Sequence, residues 1–457
     1  MKCLVRGGII LTIETETGEN YEIKDFSLKD EGLKTMQWAE SRMPVLQLIK
    51  KRFEEEKPLK GVRIGACLHV TKETSQLCEA WLAGGAEIYL CASNPLSTQD
   101  EIPAALASKG VHVYAWKFMD AEGYYRSIGN VIKARPNITI DDGADLVSIL
   151  HKLKRGETDE EVEIVKKVIG NETDIIDEVW GGAEETTTGI IRLQAMADDG
   201  ALLYPIMATN SSPCKNLYDN VYGTGQSTID GILRATADLI ASKVFVVGGY
   251  GHCGKGIAMR AKGLGARRVI ITEVEPHAAL QAVMEGMEVM SMHEAAKFAD
   301  IIVTATGCKD VIRKEHFEVM KDGCLIANSG HFNVEINIPD LEALSTNKTQ
   351  IRPFVEQFSL SNGRKINLLG EGRLINLAAA EGHPPEVMDL SFSLQALASE
   401  YIVKNKEDLA KMGEKVVQIP EDIDDNVAYL KCETLGVKLD ELTPEQEKYL
   451  SSWRTGT

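Results

Sequence analysis

The sequence lacks a C-x-x-C pair, an apolar run long enough for a bilayer and any excess of basic charge. Each absence excludes a class of protein. Its nine cysteines are scattered singly, several inside apolar runs (Cys67, Cys91, Cys324), which argues against a disulfide frame or a zinc site. Reduced, cytoplasmic usage is expected, with no metal. Stretches such as Ile301-Ile302-Val303 fall far short of the roughly 20 apolar residues that a spanning helix needs. A net charge of −18 disfavours nucleic acid and anionic membrane, since both demand a basic face. The start, Met1-Lys2-Cys3-Leu4-Val5-Arg6-Gly7-Gly8, has neither an apolar h-region nor a small-residue cleavage site, so no signal peptide is expected. What remains is an acidic, soluble, intracellular chain of 457 residues, long enough for two or three domains.

The richest stretch runs from Val244 to Gly256. An apolar run bends through Gly249-x-Gly251-x-x-Gly254 into a helical segment, and a second apolar run, Val269–Thr272, ends in Glu273. A dinucleotide makes each of these demands. Gly249 makes the tight turn, Gly251 lets backbone N–H groups approach a pyrophosphate, and Gly254 lets the helix lie close on the strand. Glu273 can hold both ribose hydroxyls and would repel a 2′-phosphate, which favours NAD over NADP.

Strand-like and helical runs alternate along the rest of the chain. Residues 1–24 alternate apolar and polar (Ile9, Leu11, Ile13, then Tyr21, Ile23) about Thr17-Gly18-Glu19-Asn20, which predicts a small accessory hairpin. Helices are predicted at Leu28–Ala39 and Val45–Glu56, parted by Pro44, and from Val62 a β-α-β rhythm begins. Residues 156–188 read as acidic and helical. A second rhythm from Lys243, with runs at 269–273, 288–292, 301–306, 324–328 and 366–369, predicts a six-stranded dinucleotide sheet. The fold class is α/β, with two doubly wound, Rossmann-like domains and a small helical C-terminal segment. A substrate domain is expected from residues 25–213 and 384–415, an inserted cofactor domain from 226–382, and an oligomerisation segment from 416–457. Hinges fall near 214–225 and 381–384.

Polar residues gather where strand-like runs end, which is where doubly wound sheets place their ligands. His69, Thr71 and Glu73 follow one run; an N-cap with a solvated acid would explain them equally well. Asp141-Asp142-Gly143 suits a turn, and Glu184-Glu185 a helix start. Lys215 and Asp219 have the spacing of a surface helix pair. His331, in Gly330-His331-Phe332, and His383, before Pro384, would each pass for a loop histidine.

Jointly these segments resemble the S-adenosyl-L-homocysteine hydrolase family over roughly residues 28–450. The resemblance rests on Trp38-Ala39-Glu40-Ser41-Arg42-Met43-Pro44, Ser97-Thr98-Gln99-Asp100, Glu184-Glu185-Thr186-Thr187-Thr188-Gly189 and Asp219-Asn220-Val221-Tyr222-Gly223. Gly330-His331-Phe332 and Glu371-Gly372-Arg373-Leu374-Ile375-Asn376-Leu377 add to it. It implies one tightly bound NAD per subunit, used catalytically, and a homotetramer. It also implies a nucleoside thioether substrate whose 3′-OH is oxidised so that the C4′ proton becomes acidic. Homocysteine then leaves, water adds, and the ketone is reduced again.

By matching motif, the resemblance puts Lys215 near the 3′-OH, its pKa lowered by desolvation, with Asp219 and Glu185 on the ribose hydroxyls. Asp142 is the C4′ base. His69 assists the sulfur and the water, with His331 close to the reacting centre. Thr71 and Glu73 meet the adenine edge and His383 the purine at the hinge. Thr186, Thr187, Thr188, Asn220 and Asn376 reach the nicotinamide half, and Asn210 supports them from behind. His252, Cys253, Thr306, Ser329, Gly330, His331 and His383 complete the cofactor set with Gly249, Gly251, Gly254 and Glu273.

Four departures from the family pattern stand out. Thr224 and Ala278 replace a cysteine and an asparagine common in the family, the chain closes at Ser452-Trp453-Arg454-Thr455-Gly456-Thr457 without a basic, tyrosine-rich tail, and residues 1–24 have no counterpart. These features resemble a branch common in archaea and thermophilic bacteria, some of whose members prefer the inosyl substrate. A carboxylate accepts from adenine's amine but faces hypoxanthine's carbonyl as acceptor to acceptor, so Glu73 predicts the adenosyl substrate. Two other readings are a silent regulatory relative, opposed by the presence of His69, Asp142, Lys215 and Asp219, and a net dehydrogenase of hydroxy acids, which would accumulate NADH.

Overall fold

The computed structural model describes residues 4–6, 9–11, 15–170, 172–413 and 415–454. Among them are two large sheets, of nine and eight strands. In the first, the spatial order is Val416–Gln418, Ile206–Ala208, Gly181–Glu184, Ile138–Asp141, Arg63–Leu68, Glu87–Ala92, His112–Ala115, Tyr21–Ile23 and Glu16–Gly18. All neighbours are parallel except the last pair. Helices Lys29–Glu40 and Pro44–Glu56 precede the core strands, with Pro44 at the first helical position, where its missing N–H costs nothing.

The N-terminal expectation needs correcting. The hairpin is Glu16–Gly18 with Tyr21–Ile23, and it is no accessory, because Tyr21–Ile23 extends the sheet against His112–Ala115 and Ile23 is fully buried. Leu4–Arg6 pairs instead with Ile9–Leu11, and Ile13 lies outside the described residues. Gly181–Glu184, read as helical, is a central strand. Gly-Gly-Ala-Glu has weak strand propensity, but its neighbours demand small residues, since a Cβ on Gly182 would lie 2.3 Å from Thr139 Oγ1. Val416–Gln418, assigned from sequence to the C-terminal segment, pairs parallel with Ile206–Ala208 and so completes the first sheet.

The second sheet runs Glu288–Val289, Arg268–Thr272, Val244–Gly248, Ile301–Thr304, Cys324–Asn328 and Lys365–Leu369, the 3-2-1-4-5-6 order of a doubly wound dinucleotide sheet. Val244–Gly248 is buried along its whole length, as a central parallel strand should be. Beyond the expected six strands it continues through an antiparallel pair, Val355–Leu360 and Ser345–Arg352. The outermost of these is polar and mostly exposed, so it carried no apolar signal.

Gly249 turns the chain with φ +94°, and the close approach beyond it needs Gly254, whose Cβ would sit 2.0 Å from the Gly249 carbonyl oxygen. The chain crosses from the first sheet to the second through a wide π-type helix, Asn216–Gly223, and the helix Thr224–Thr236. It returns past Gly382 into the long helix Pro385–Met412, which packs on Pro44–Glu56, Lys72–Ala83 and Glu421–Thr434. The C-terminal strand ends of both sheets thereby face one cleft. Among the described residues, no helix is long and apolar enough to cross a membrane.

Candidate active site

A cavity of about 900 Å³ fills that cleft. Every residue assigned from sequence to catalysis or substrate lines it: His69, Thr71, Glu73, Asp142, Glu185, Lys215, Asp219, His331 and His383. So do Thr186, Thr187, Thr188, Asn220, Gly249, Gly251, His252, Cys253, Glu273, Thr306, Ser329, Gly330 and Asn376. Gly254 does not; it acts one layer behind, against Gly249. Asn210 also stands behind the wall, donating to Thr187 Oγ1 at 2.7 Å and accepting from Asn220 Nδ2 at 2.9 Å.

Two clusters of titratable side chains line the cavity. In the first, Lys215 Nζ lies 2.6 Å from Asp219 Oδ2, 2.6 Å from Asn220 Oδ1 and 3.5 Å from Glu185 Oε1, with all three charged side chains buried. Spacing alone suggested a surface helix pair, but the wide helix turns this face inward, a geometry that recurs at functional sites. Burial by itself would lower the Lys215 ammonium; the Asp219 and Glu185 carboxylates outweigh it, and the pKa rises above the ordinary lysine value. The expected depression by desolvation is therefore wrong for the protein as it stands, because burial came with two counter-ions. Asp219 is resisted by burial yet held well below the usual carboxylate range by His383 and Lys215. His383 Nδ1 bonds Asp219 Oδ1 directly, which ties the returning crossover to this cluster. Burial raises Glu185, which accepts from Ser391 Oγ and, at 2.7 Å, from Gln395 Nε2.

The second cluster holds Asp142 between two histidines, His69 Nε2 at 3.3 Å from Oδ2 and His331 Nδ1 at 3.5 Å from Oδ1. His69 Nδ1 is 2.8 Å from Ser97 Oγ and 3.2 Å from Ser93 Oγ, so its ring is oriented from behind. Burial pushes its pKa down to about 4 despite the Asp142 carboxylate, which leaves a neutral imidazole at pH 7. Ligand atoms of these three residues lie within 4.8 Å of one another, the spacing of a metal group among the described residues and equally that of a proton relay.

The other end of the cavity fits a dinucleotide. A Cβ on Gly251 would meet nothing within 4 Å, and helix His252–Gly263 starts there without a side-chain cap, so its first N–H groups are open to an anion. Glu273, at the end of Arg268–Thr272, accepts from Tyr250 N and Val274 N, which fixes the carboxylate while leaving lone pairs for a ribose diol. Asn376 donates to Ser227 Oγ and to His383 Nε2, both at 3.2 Å, while its buried Oδ1 has no partner, an acceptor waiting for a donor such as a carboxamide. Thr224, the position where a cysteine is common, sits 3.3 Å from His383 Nε2.

Sequence reasoning missed three supports. Glu335 accepts from Thr306 N, Thr306 Oγ1 and Gly307 N, which shapes the loop after Ile301–Thr304; it stands three residues beyond the string Gly330-His331-Phe332. Ser391 and Gln395 share a helix face at i, i+4, and their place among Leu390, Phe392, Leu394 and Ala396 was the available signal. Ser97 was quoted for its string but given no role.

The doubly wound dinucleotide-type sheet and the buried, charged cavity at its strand ends mark the chain as an α/β enzyme. Residues 20–457 match the S-adenosyl-L-homocysteine hydrolase family, and the chain belongs to it. It is 56% identical over 438 residues to an adenosylhomocysteinase of Aquifex aeolicus, covering 96% of this chain and 100% of that one. An adenosylhomocysteinase of Pyrobaculum aerophilum is 53% identical over 437 residues, with 95% and 99% covered. A protein of Methanocaldococcus jannaschii named S-inosyl-L-homocysteine hydrolase is 52% identical over 437 residues, with 96% and 100% covered. These relatives fall in the archaeal and thermophilic branch that the sequence resembles.

Proposed function

We propose that this chain hydrolyses S-adenosyl-L-homocysteine reversibly to adenosine and L-homocysteine, with NAD as its resident cofactor. The observation that carries this reading is the pair of clusters, Lys215–Asp219–Glu185 and Asp142–His69–His331, in one cavity with an open glycine turn. When bound, NAD supplies a reversible hydride acceptor for the 3′ carbon, which makes the C4′ proton removable. Gly251, Glu273, Thr187, Asn220 and Asn376 would hold it. Asp219 and Glu185 orient the ribose hydroxyls, and Lys215 relays the proton of the 3′ oxygen by passing one of its own to Glu185, whose carboxyl burial raises, as it takes the substrate's, the relay reversing on reduction. Asp142 takes the C4′ proton. Its contact with His69 gives that proton a direct route to the leaving sulfur, and neutral His69 then takes a proton from the entering water.

Residues 16–213 with 384–418 would form the substrate half and 226–382 the cofactor half, closing about the crossings near 214–225 and 381–384. We place the enzyme in the cytoplasm as a homotetramer.

Glu73 favours adenine over hypoxanthine. It is buried, and beside its Oε1 stands the Lys72 ammonium, at 3.1 Å but out of hydrogen-bonding alignment, so a lone pair of that oxygen can receive the exocyclic amine. The inosyl reading is kept alive by the Methanocaldococcus jannaschii relative. The purified protein is expected to release homocysteine from the adenosyl thioether at least about tenfold faster, in kcat/KM, than from the inosyl one. Silence toward both by a folded, NAD-bearing protein would favour a regulatory role, and net NADH production would favour a dehydrogenase.

A further inference from the structure

Lys72 and Glu73 open the helix Lys72–Ala83, and neighbouring helical positions do not ordinarily face each other. Here both side chains are buried, and the lysine stem folds back to bring Nζ within 3.1 Å of Glu73 Oε1. Two outside contacts hold it there. Lys72 Nζ donates to Glu381 Oε2 at 3.1 Å, across from the segment where the chain returns to the first half. Lys72 N donates to Gln99 Oε1 at 2.9 Å, and Gln99 Nε2 in turn donates to the Glu381 carbonyl oxygen at 3.3 Å. Lys72 does not line the cavity; it stands behind the carboxylate that does.

We propose that Lys72 determines base specificity by holding Glu73 as an oriented anion, so that the pocket accepts the amino edge of adenine and rejects the carbonyl edge of hypoxanthine. This rests on the hydrolase reading of the site. A carboxylate offers only acceptors, whereas a protonated carboxyl offers an O–H donor that suits a carbonyl. Which form is present is decided locally. Burial holds the Glu73 carboxyl above its ordinary value, and Lys72, helped by the Thr71 hydroxyl, offsets part of that rise. The other charged groups near the pair are Glu381 and, behind it, Arg234, whose Nη2 lies 3.4 Å from Glu381 Oε1, together with Glu101 of the helix Glu101–Ser108. The Lys50–Glu79 pair lies further along the helix. Lys72 is thus the cation in contact with Glu73. Without it the acid form gains ground, most at low pH, because a raised carboxyl pKa keeps the proton until pH climbs past it.

The test compares dissociation constants of adenosine and inosine on the NAD-loaded enzyme, with kcat/KM for the two thioethers, from about pH 6 to about pH 9. Wild type is expected to favour the adenine ligand at least about tenfold throughout. Lys72→Met should lose roughly tenfold of that ratio near the acid end and recover it toward the alkaline end. Lys72→Arg should keep the ratio, and Glu381→Gln should shift it in the same direction by less. A Lys72→Met ratio within about twofold of wild type at both ends would overturn the proposal, as would a loss identical at both ends, which would be packing alone. Failure of the hydrolase reading looks different: nucleosides bind with the ratios above while neither thioether releases homocysteine.

Discussion

Lys215→Met is expected to lower kcat by roughly 10³-fold or more while NAD stays bound. The ammonium is the proton carrier at the 3′ oxygen and also the cation between Asp219 and Glu185. Removing it from a buried pair costs stability too, of the order of 3–5 kcal/mol before relaxation. Asp219 keeps His383, but Glu185 is left with only Ser391 and Gln395, and burial already raises it. In the variant it therefore rises further. A carboxyl whose folded pKa exceeds its unfolded value is harmless below the unfolded pKa and destabilises increasingly as pH climbs toward the folded one. The gap in Tm between wild type and Lys215→Met should thus widen from about pH 5 to about pH 8. A constant gap would mean that Glu185 does not answer to Lys215. Unaltered turnover would remove Lys215 from the chemistry.

The second large effect concerns two glycines three residues apart. Gly254→Ala puts a Cβ 2.0 Å from the Gly249 carbonyl oxygen, backbone against side chain, so helix His252–Gly263 must lift off its strand. We expect a stability loss of about 1–3 kcal/mol and NAD binding weakened by roughly 10²-fold or more. Gly251→Ala meets no protein atom within 4 Å, so the cofactor-free protein should keep its Tm. Its new methyl instead occupies space where a pyrophosphate would approach, and affinity should fall nearly as far. Thermal unfolding with and without NAD separates the two. Equal loss of Tm in both cofactor-free variants, or full NAD affinity in Gly251→Ala, would contradict the assignment of this loop.

The cofactor sheet was legible because its parallel strands are short buried runs of Val and Ile punctuated by glycine, and physics leaves few other uses for that pattern. The outlying pair Ser345–Arg352 and Val355–Leu360 was not, since one of the two strands is solvent-facing and polar. Gly181–Glu184 hid for the opposite reason, its residues being small to fit between close neighbours rather than apolar. Site residues could be found individually at strand ends, but their bland readings were equally good until the strings were taken together. What no string revealed was electrostatics. Lys215 was expected to be depressed by burial, and only the fold shows Asp219 and Glu185 against it. Lys72 drew no reading from the sequence, and only the fold brings Glu381 to it from 309 residues away.

The central claim is that the 3′ carbon must be oxidised before the C–S bond can break. The most direct measurement mixes the NAD-loaded enzyme with S-adenosyl-L-homocysteine or its 3′-deoxy analogue, following homocysteine release and the near-ultraviolet absorbance of reduced nicotinamide. The account predicts homocysteine release and a transient, enzyme-bound reduced-nicotinamide signal with the natural thioether and neither with the analogue. Homocysteine released from the 3′-deoxy compound at a comparable rate would contradict it.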